Sequence, residues 1–216
     1  MQTPWMTWAA LGASAVVAAS CASYPDQATT RQTAEKIVSA SFIGAPPALA
    51  KRLGQDESQR ICSKIGDAKL TQQESAEVVR LARASIQYPA SGKLAGDWKA
   101  GAKLAYNGSG SRIRGGKLEK AKGNIGNGAL CSNCHVLDPK EFNVGNLGPS
   151  LTGYGAQRGN SEAVARLTYE RIYNAWAYVP CANMPRLGSS GHLTPEQIAH
   201  VVAYLLDPQS PVNSKK

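Results

Sequence analysis

The sequence predicts an all-α protein. Two segments, Thr71-Gln72-Gln73-Glu74 and Thr194-Pro195-Glu196-Gln197, place a hydroxyl cap three residues before a Glu or Gln. In that pattern the two side chains satisfy each other's backbone N–H groups at a helix start. Apolar residues then follow at helical spacing: Val78, Val79, Ala82 and Ile86 after the first, Ile198, Val201, Val202 and Leu205 after the second. No stretch shows the alternation of a half-buried strand, so no strand is expected anywhere.

Taken in order, the elements begin after a Pro/Asp/Gln/Thr segment near Tyr24 to Thr30. Arg31 to Ser41 is a short helix that Gly44-Ala45-Pro46-Pro47 breaks. Asp56 to Ile65 is a second short helix, carrying Cys62 and stopped by Gly66. The helix opened by Thr71 ends before Pro89. Asp97 to Tyr106 offers Trp98, Ala102, Leu104 and Ala105 for packing. Asn107 to Asn127, rich in Gly, Ser, Lys and Arg, reads as an exposed loop; it follows no strand and lacks phosphate-loop spacing. Ser161 caps a helix on which Tyr169, Ile172, Tyr173 and Trp176 share one face. The last helix ends at Asp207-Pro208.

The 216 residues suffice for one domain with an extension. A hydrophobic share of 43% and a charged share of 18% belong to an ordinary soluble chain. The net charge of +9 is spread out, with no Lys/Arg run longer than two. It suits a basic surface that steers acidic partners better than a nucleic-acid site. Residues 1–22 carry no charge, and Trp8 to Ala19 is almost wholly apolar or small, which fits a signal peptide although the usual Lys or Arg is missing. Two processing routes remain open. Ala18-Ala19-Ser20-Cys21 resembles a lipoprotein box that would acylate Cys21, and Ser20-Cys21-Ala22 would instead release a soluble chain. Export to the periplasm is expected either way, with membrane attachment only if Cys21 is lipidated.

Between the helices stands Cys131-Ser132-Asn133-Cys134-His135. Two thiols three positions apart followed by an imidazole form the c-type haem attachment pattern. The two sulfurs of Cys131 and Cys134 would bond to one porphyrin, and His135 would supply the proximal iron ligand. A zinc site would need a second cysteine pair, and a thioredoxin-like pair would follow a strand; neither is present. Haem attachment of this kind takes place in an oxidising compartment outside the bacterial cytoplasm. Of five cysteines the haem takes two, and processing or lipidation disposes of Cys21. Cys62 and Cys181 remain, and they are expected to form a disulfide. A catalytic thiol or a buried free cysteine are the competing readings.

Gly148-Pro149-Ser150-Leu151-Thr152-Gly153 follows His135 at a distance that would set the Pro149 carbonyl against the proximal imidazole. Tyr173 and Trp176 are expected to pack on the haem edge. Met184 is the sole thioether once Met1 and Met6 leave with the leader, and Pro185 would stiffen the loop presenting it as the second axial ligand. A gap-filling role for Met184 is the bland alternative. His192 lies in a Gly/Ser loop from which it could reach iron. His200 lies opposite the apolar face of its helix and is expected to be solvated. With both axial positions filled, the iron shuttles electrons and is closed to ligand chemistry.

Trp98 to Leu206 resembles a monohaem class I cytochrome c. The haem motif, Glu141-Phe142, Leu147-Gly148-Pro149-Ser150-Leu151-Thr152-Gly153 and Cys181-Ala182-Asn183-Met184-Pro185-Arg186-Leu187-Gly188 together resemble the SoxX family, the small cytochrome subunits of thiosulfate-oxidising SoxXA complexes. Leu187 stands where that family often has an aromatic residue. The organisation expected is a signal peptide at 1–22, a helical N-terminal extension at 23–95, a cytochrome c domain at 96–208 and a flexible tail at 209–216. The resemblance implies one covalent haem c and a heterodimer with a SoxA-like cytochrome. It also implies transient contact with a SoxYZ-like carrier and a soluble acceptor cytochrome. The chain would be the electron-accepting, non-catalytic subunit of an L-cysteine S-thiosulfotransferase, with no catalytic residue of its own. A free-standing periplasmic electron carrier competes with this reading, and so does a haem sensor with an open iron site. The extension is expected to dock or stabilise rather than to form a second active domain.

Overall fold

The computed structural model describes residues 26–42, 53–66, 69–110, 112–114, 117–119, 128–138, 140–141 and 145–214. Residues 1–22, where a signal peptide is expected, and Phe142 lie outside the described residues, Cys21 among them. Residues 1–43 and 44–216 form separate compact units. In the first, α1 (Gln27–Ser41) starts four residues earlier than expected. The Asp26 carboxylate accepts from the Thr29 N–H and caps the helix there. None of its described side chains is buried.

In the second unit α2 (Glu57–Cys62) is continued by a 3-10 turn at Ser63–Gly66. Asp56 and Gln59 form a capping box at its start. In α3 (Gln72–Ala84) Thr71 and Glu74 do the same. α3 buries Val78 and Ala82 and packs on α2 and on the 3-10 turn Ala175–Ala177. α4 (Trp98–Tyr106) crosses α7 (Pro195–Leu206) at Gly101. A Cβ on Gly101 would stand 2.0 Å from the His200 carbonyl oxygen, so only glycine permits this backbone approach. α5 (Tyr154–Arg158) and α6 (Glu162–Tyr173) complete the helices, and both pack on α7.

The core centres on α7, whose Ile198, Val202 and Tyr204 are buried with Leu137, Tyr169 and Leu193. Burying each large apolar side chain contributes about 1.5–3 kcal/mol. α4, α5 and α6 all pack on α7, and eight of its residues are buried.

Three expectations are corrected. The loop between Asn107 and Asn127 contains an antiparallel hairpin, β1 (Arg112–Arg114) and β2 (Lys117–Glu119), with Ile113 opposite Leu118. Strands of three residues are too short to show a recognisable period. The fold class remains all-α. Residues 209–214 are not a free tail. Val212 and Asn213 are buried, and the Asn213 side chain accepts from the N–H groups of Gly155 and Ala156 while donating to the carbonyls of Leu205 and Asp207. His200 is not simply solvated: its Nδ1 accepts from the Asp97 N–H at 2.8 Å, joining the start of α4 to α7.

Candidate haem site

The cysteine motif is held as a folded turn. Leu130 takes a left-handed conformation at φ 43°, and Cys131–Asn133 form a 3-10 turn. The N–H groups of Cys134 and His135 both donate to the Cys131 carbonyl. The segment after the motif wraps it: Gly145 donates to Ser132, Gly148 to Cys134 and Leu151 to Val136. Gly145 and Gly148 are required by contact. A Cβ at Gly145 would lie 1.6 Å from the Asn133 carbonyl oxygen, and one at Gly148 would lie 2.3 Å from Cε1 of His135. Upstream, Ala129 donates to the Leu104 carbonyl, which ties the motif to α4.

His135 Nδ1 lies 2.7 Å from the Pro149 carbonyl oxygen. A carbonyl only accepts, so the imidazole proton sits on Nδ1 and the Nε2 lone pair is left free for a metal. The same bond fixes the ring's orientation. Cys131, His135 and Met184 line one small cavity, whose other walls are Ala105, Leu137, Leu151, Ile172, Leu187, Val201, Tyr204 and Leu205. Burial pushes the Cys131 thiol up to about 11, so it is a neutral thiol in this apolar wall. The Tyr204 hydroxyl donates to that of Tyr106 at 3.1 Å. Burial raises both phenols above their ordinary value, and Glu141 raises Tyr106 further, so both stay uncharged. An imidazole, a thioether and the Cys131 thiol bordering one hydrocarbon-lined chamber, with Cys134 in the adjoining turn, form the donor set of a c-type haem. Cys131 and Cys134 carry free thiols available for attachment. Among the described residues no cluster of three His, Cys, Asp or Glu side chains that could hold a metal ion is present.

The segment carrying Met184 is pinned from several sides. Cys181 is joined to Cys62 by a disulfide. The Trp176 indole donates to the Ala182 carbonyl at 2.8 Å, and the Gly188 N–H donates to the Tyr173 carbonyl at 2.9 Å. Neither Tyr173 nor Trp176 borders the cavity. Tyr173 stacks on Tyr169 and lies under Gly188, where a Cβ would meet its ring at 2.3 Å. Trp176 lies beneath the Arg186 guanidinium, 4.4 Å from its ring centroid. The α6 wall is built by Ile172 instead. His192 Nε2 donates to the Gly128 carbonyl at 2.7 Å, and neither His192 nor His200 lines the cavity. Sequence reasoning had not singled out Val201, Tyr204 and Leu205 as cavity walls, although their i, i+3, i+4 spacing places them on one face of α7. No local signal pointed to Asp56, which pairs with Arg186 at 2.8 Å across 130 residues of chain.

The family model for cytochrome c matches residues 119–208. The chain is also 42% identical over 160 residues to an uncharacterised lipoprotein of Aquifex aeolicus (strain VF5), covering 74% of this chain and 73% of that protein. The chain belongs to one family with that lipoprotein, and it carries a cytochrome c domain. Such a domain implies covalently bound haem and electron transfer. The match to the cytochrome c domain ends at Pro208, two residues past α7. α4 lies before the matched segment, yet its crossing with α7 makes it part of the same packed unit. No helix among the described residues is long and apolar enough to cross a membrane.

Proposed function

We propose that this protein is the electron-accepting subunit of a thiosulfate-conjugating enzyme of the SoxXA kind. The observation that carries its redox part is the convergence of Cys131, His135 and Met184 on one apolar cavity. Bound there, one haem c would supply one-electron transfer, with Cys131 and Cys134 as its covalent anchors. His135 would coordinate through Nε2 while Pro149 holds Nδ1. Met184 would provide the second ligand, and a Met/His set favours reduced iron relative to two histidines. Leu137, Ile172, Val201 and Leu205 exclude water, which further favours the less charged state of the centre.

The thiosulfate part rests on the Met184-Pro185-Arg186-Leu187-Gly188 segment followed by the Leu193-Thr194 helix start. In the reaction, a carrier cysteine thiol and thiosulfate become an S-thiosulfonate with loss of one proton and two electrons. A SoxA-like partner would perform this bond formation, and the present chain would take the electrons one at a time. Affinity capture of the natively produced protein should retain a second haem protein, and removal of this chain should abolish thiosulfate-dependent modification of the carrier. A monomer in native extract, with carrier modification intact, would refute the assignment.

The relative's designation as a lipoprotein favours a second reading, a lipid-anchored electron carrier acylated at Cys21. Detergent-phase partitioning that is lost in Cys21→Ala, with no thiosulfate effect, would select it.

A further inference from the structure

We propose that Cys62, Cys181, Asp56 and Arg186 are positioning residues that hold Met184 in place, so that the N-terminal α2–α3 pair acts as a clamp on the axial ligand. The inference rests on the reading of Met184 as a ligand. Its grounds are three separate ties from the region around Met184 to elements far away in sequence, with local contacts that back them. Cys181, three residues before Met184, is bonded to Cys62 at the end of α2, a separation of 119 residues. Arg186, two residues after it, pairs with Asp56 at the start of α2 at 2.8 Å. The two ties thus bracket Met184 and reach both ends of one six-residue helix. Arg186 is only 15% exposed and also lies over the Trp176 ring, whose indole N–H holds Ala182. From α3, the Arg83 Nε donates to the Ala177 carbonyl at 3.2 Å.

The segment needs such restraint. It contains no α-helix, and Cys181 sits at φ 59°, a left-handed conformation that disfavours residues other than glycine. Within the segment, Ala182 donates to Val179 and Leu187 to the Pro185 carbonyl, but among the described residues the backbone N–H groups of Asn183 and Met184 have no backbone acceptor. The restraint on the methionine therefore comes from outside its own loop. Opening the disulfide would leave Arg186 as the remaining tie to α2 and raise the population of loops in which the thioether leaves the cavity.

The test uses full-length, haem-loaded protein: wild type, the double variant Cys62→Ser/Cys181→Ser, and Asp56→Asn, which keeps a good helix cap but loses the charge. Urea titration of the oxidised proteins follows the weak long-wavelength sulfur-to-iron absorption and, separately, helical circular dichroism. Carbon monoxide uptake by the reduced proteins is timed alongside. In the double variant both midpoints should fall, and the absorption should vanish well before helicity is lost, so that the gap between the two midpoints widens. Carbon monoxide should enter at least about tenfold faster, the population change equivalent to about 1.4 kcal/mol. Asp56→Asn should shift both readouts in the same direction by less. A gap and an uptake rate unchanged from wild type would overturn the proposal, because a disulfide that only stabilises the fold moves both midpoints together. Should the double variant fail to fold, opening the disulfide of the wild-type protein with a phosphine gives the same carbon monoxide comparison. Wild type lacking the sulfur-to-iron absorption would instead refute Met184 as ligand, so the two failures are distinct.

Discussion

Met184 borders the cavity through a flexible, polarizable side chain, and its role separates from packing by one substitution. Met184→Leu keeps the apolar volume nearly constant, which cores tolerate at a cost below about 1.5 kcal/mol. The variant should therefore fold and keep its covalent haem by mass, yet lose the sulfur-to-iron absorption and bind carbon monoxide when reduced. A variant with wild-type absorption would return Met184 to the rank of a core residue. His135 is fixed differently, by contact on two sides: the Pro149 carbonyl holds Nδ1, and Gly148 leaves its ring no room for a neighbouring Cβ. This pairing was legible because the Gly-Pro turn sits at a short, definite distance after the motif. The part Arg186 plays was not legible, since ion pairs between distant segments leave no periodicity behind.

At the scale of elements, helix starts were the most readable features, because a cap and its partner lie three residues apart and announce themselves locally. The capping boxes of α3 and α7 follow from their sequences, whereas that of α2 uses Asp56 and Gln59, a pair that had not been singled out. In α3 the cap is linked to pH. Hydrogen bonding from Lys64, then from Thr71, lowers the Glu74 carboxyl to about 2 from its ordinary 4.5. A group whose folded value is depressed stabilises the fold above its unfolded value and loses that contribution as pH falls through the folded one. Glu74 should thus contribute fully above about pH 4.5 and progressively less down to about pH 2. Glu74→Gln, which preserves the box geometry, should flatten the dependence of stability on pH in that window; an unchanged slope would contradict the assignment. At the α4–α7 crossing, His200 must keep Nδ1 unprotonated to accept from Asp97. His200→Leu should lower stability by about 1 kcal/mol, the net worth of one such hydrogen bond near water, measured as a shift of the urea midpoint without change of slope.

At the scale of the whole molecule, the all-α class was legible, and the haem motif, Met184 and the two leftover cysteines could be picked out by counting residues of each type. The short hairpin of Arg112–Arg114 and Lys117–Glu119 was not, because three-residue strands show no period. The ordered turn at Pro211–Asn213 escaped for another reason: Asn213 is polar, and only the fold reveals that its amide satisfies buried backbone groups of α5 and α7. The Cys62–Cys181 bond joins the N-terminal helices to the segment around Met184, closing a loop of 119 residues. In the chain-entropy description, opening it should cost about 5 kcal/mol of stability, seen as a lower urea midpoint under reducing conditions.

All of these roles depend on a haem held by Cys131 and Cys134, and the intact mass of the natively produced mature protein tests that most directly. The account predicts the polypeptide plus a single haem, retained after denaturation in acid. A polypeptide mass with no such addition would contradict it.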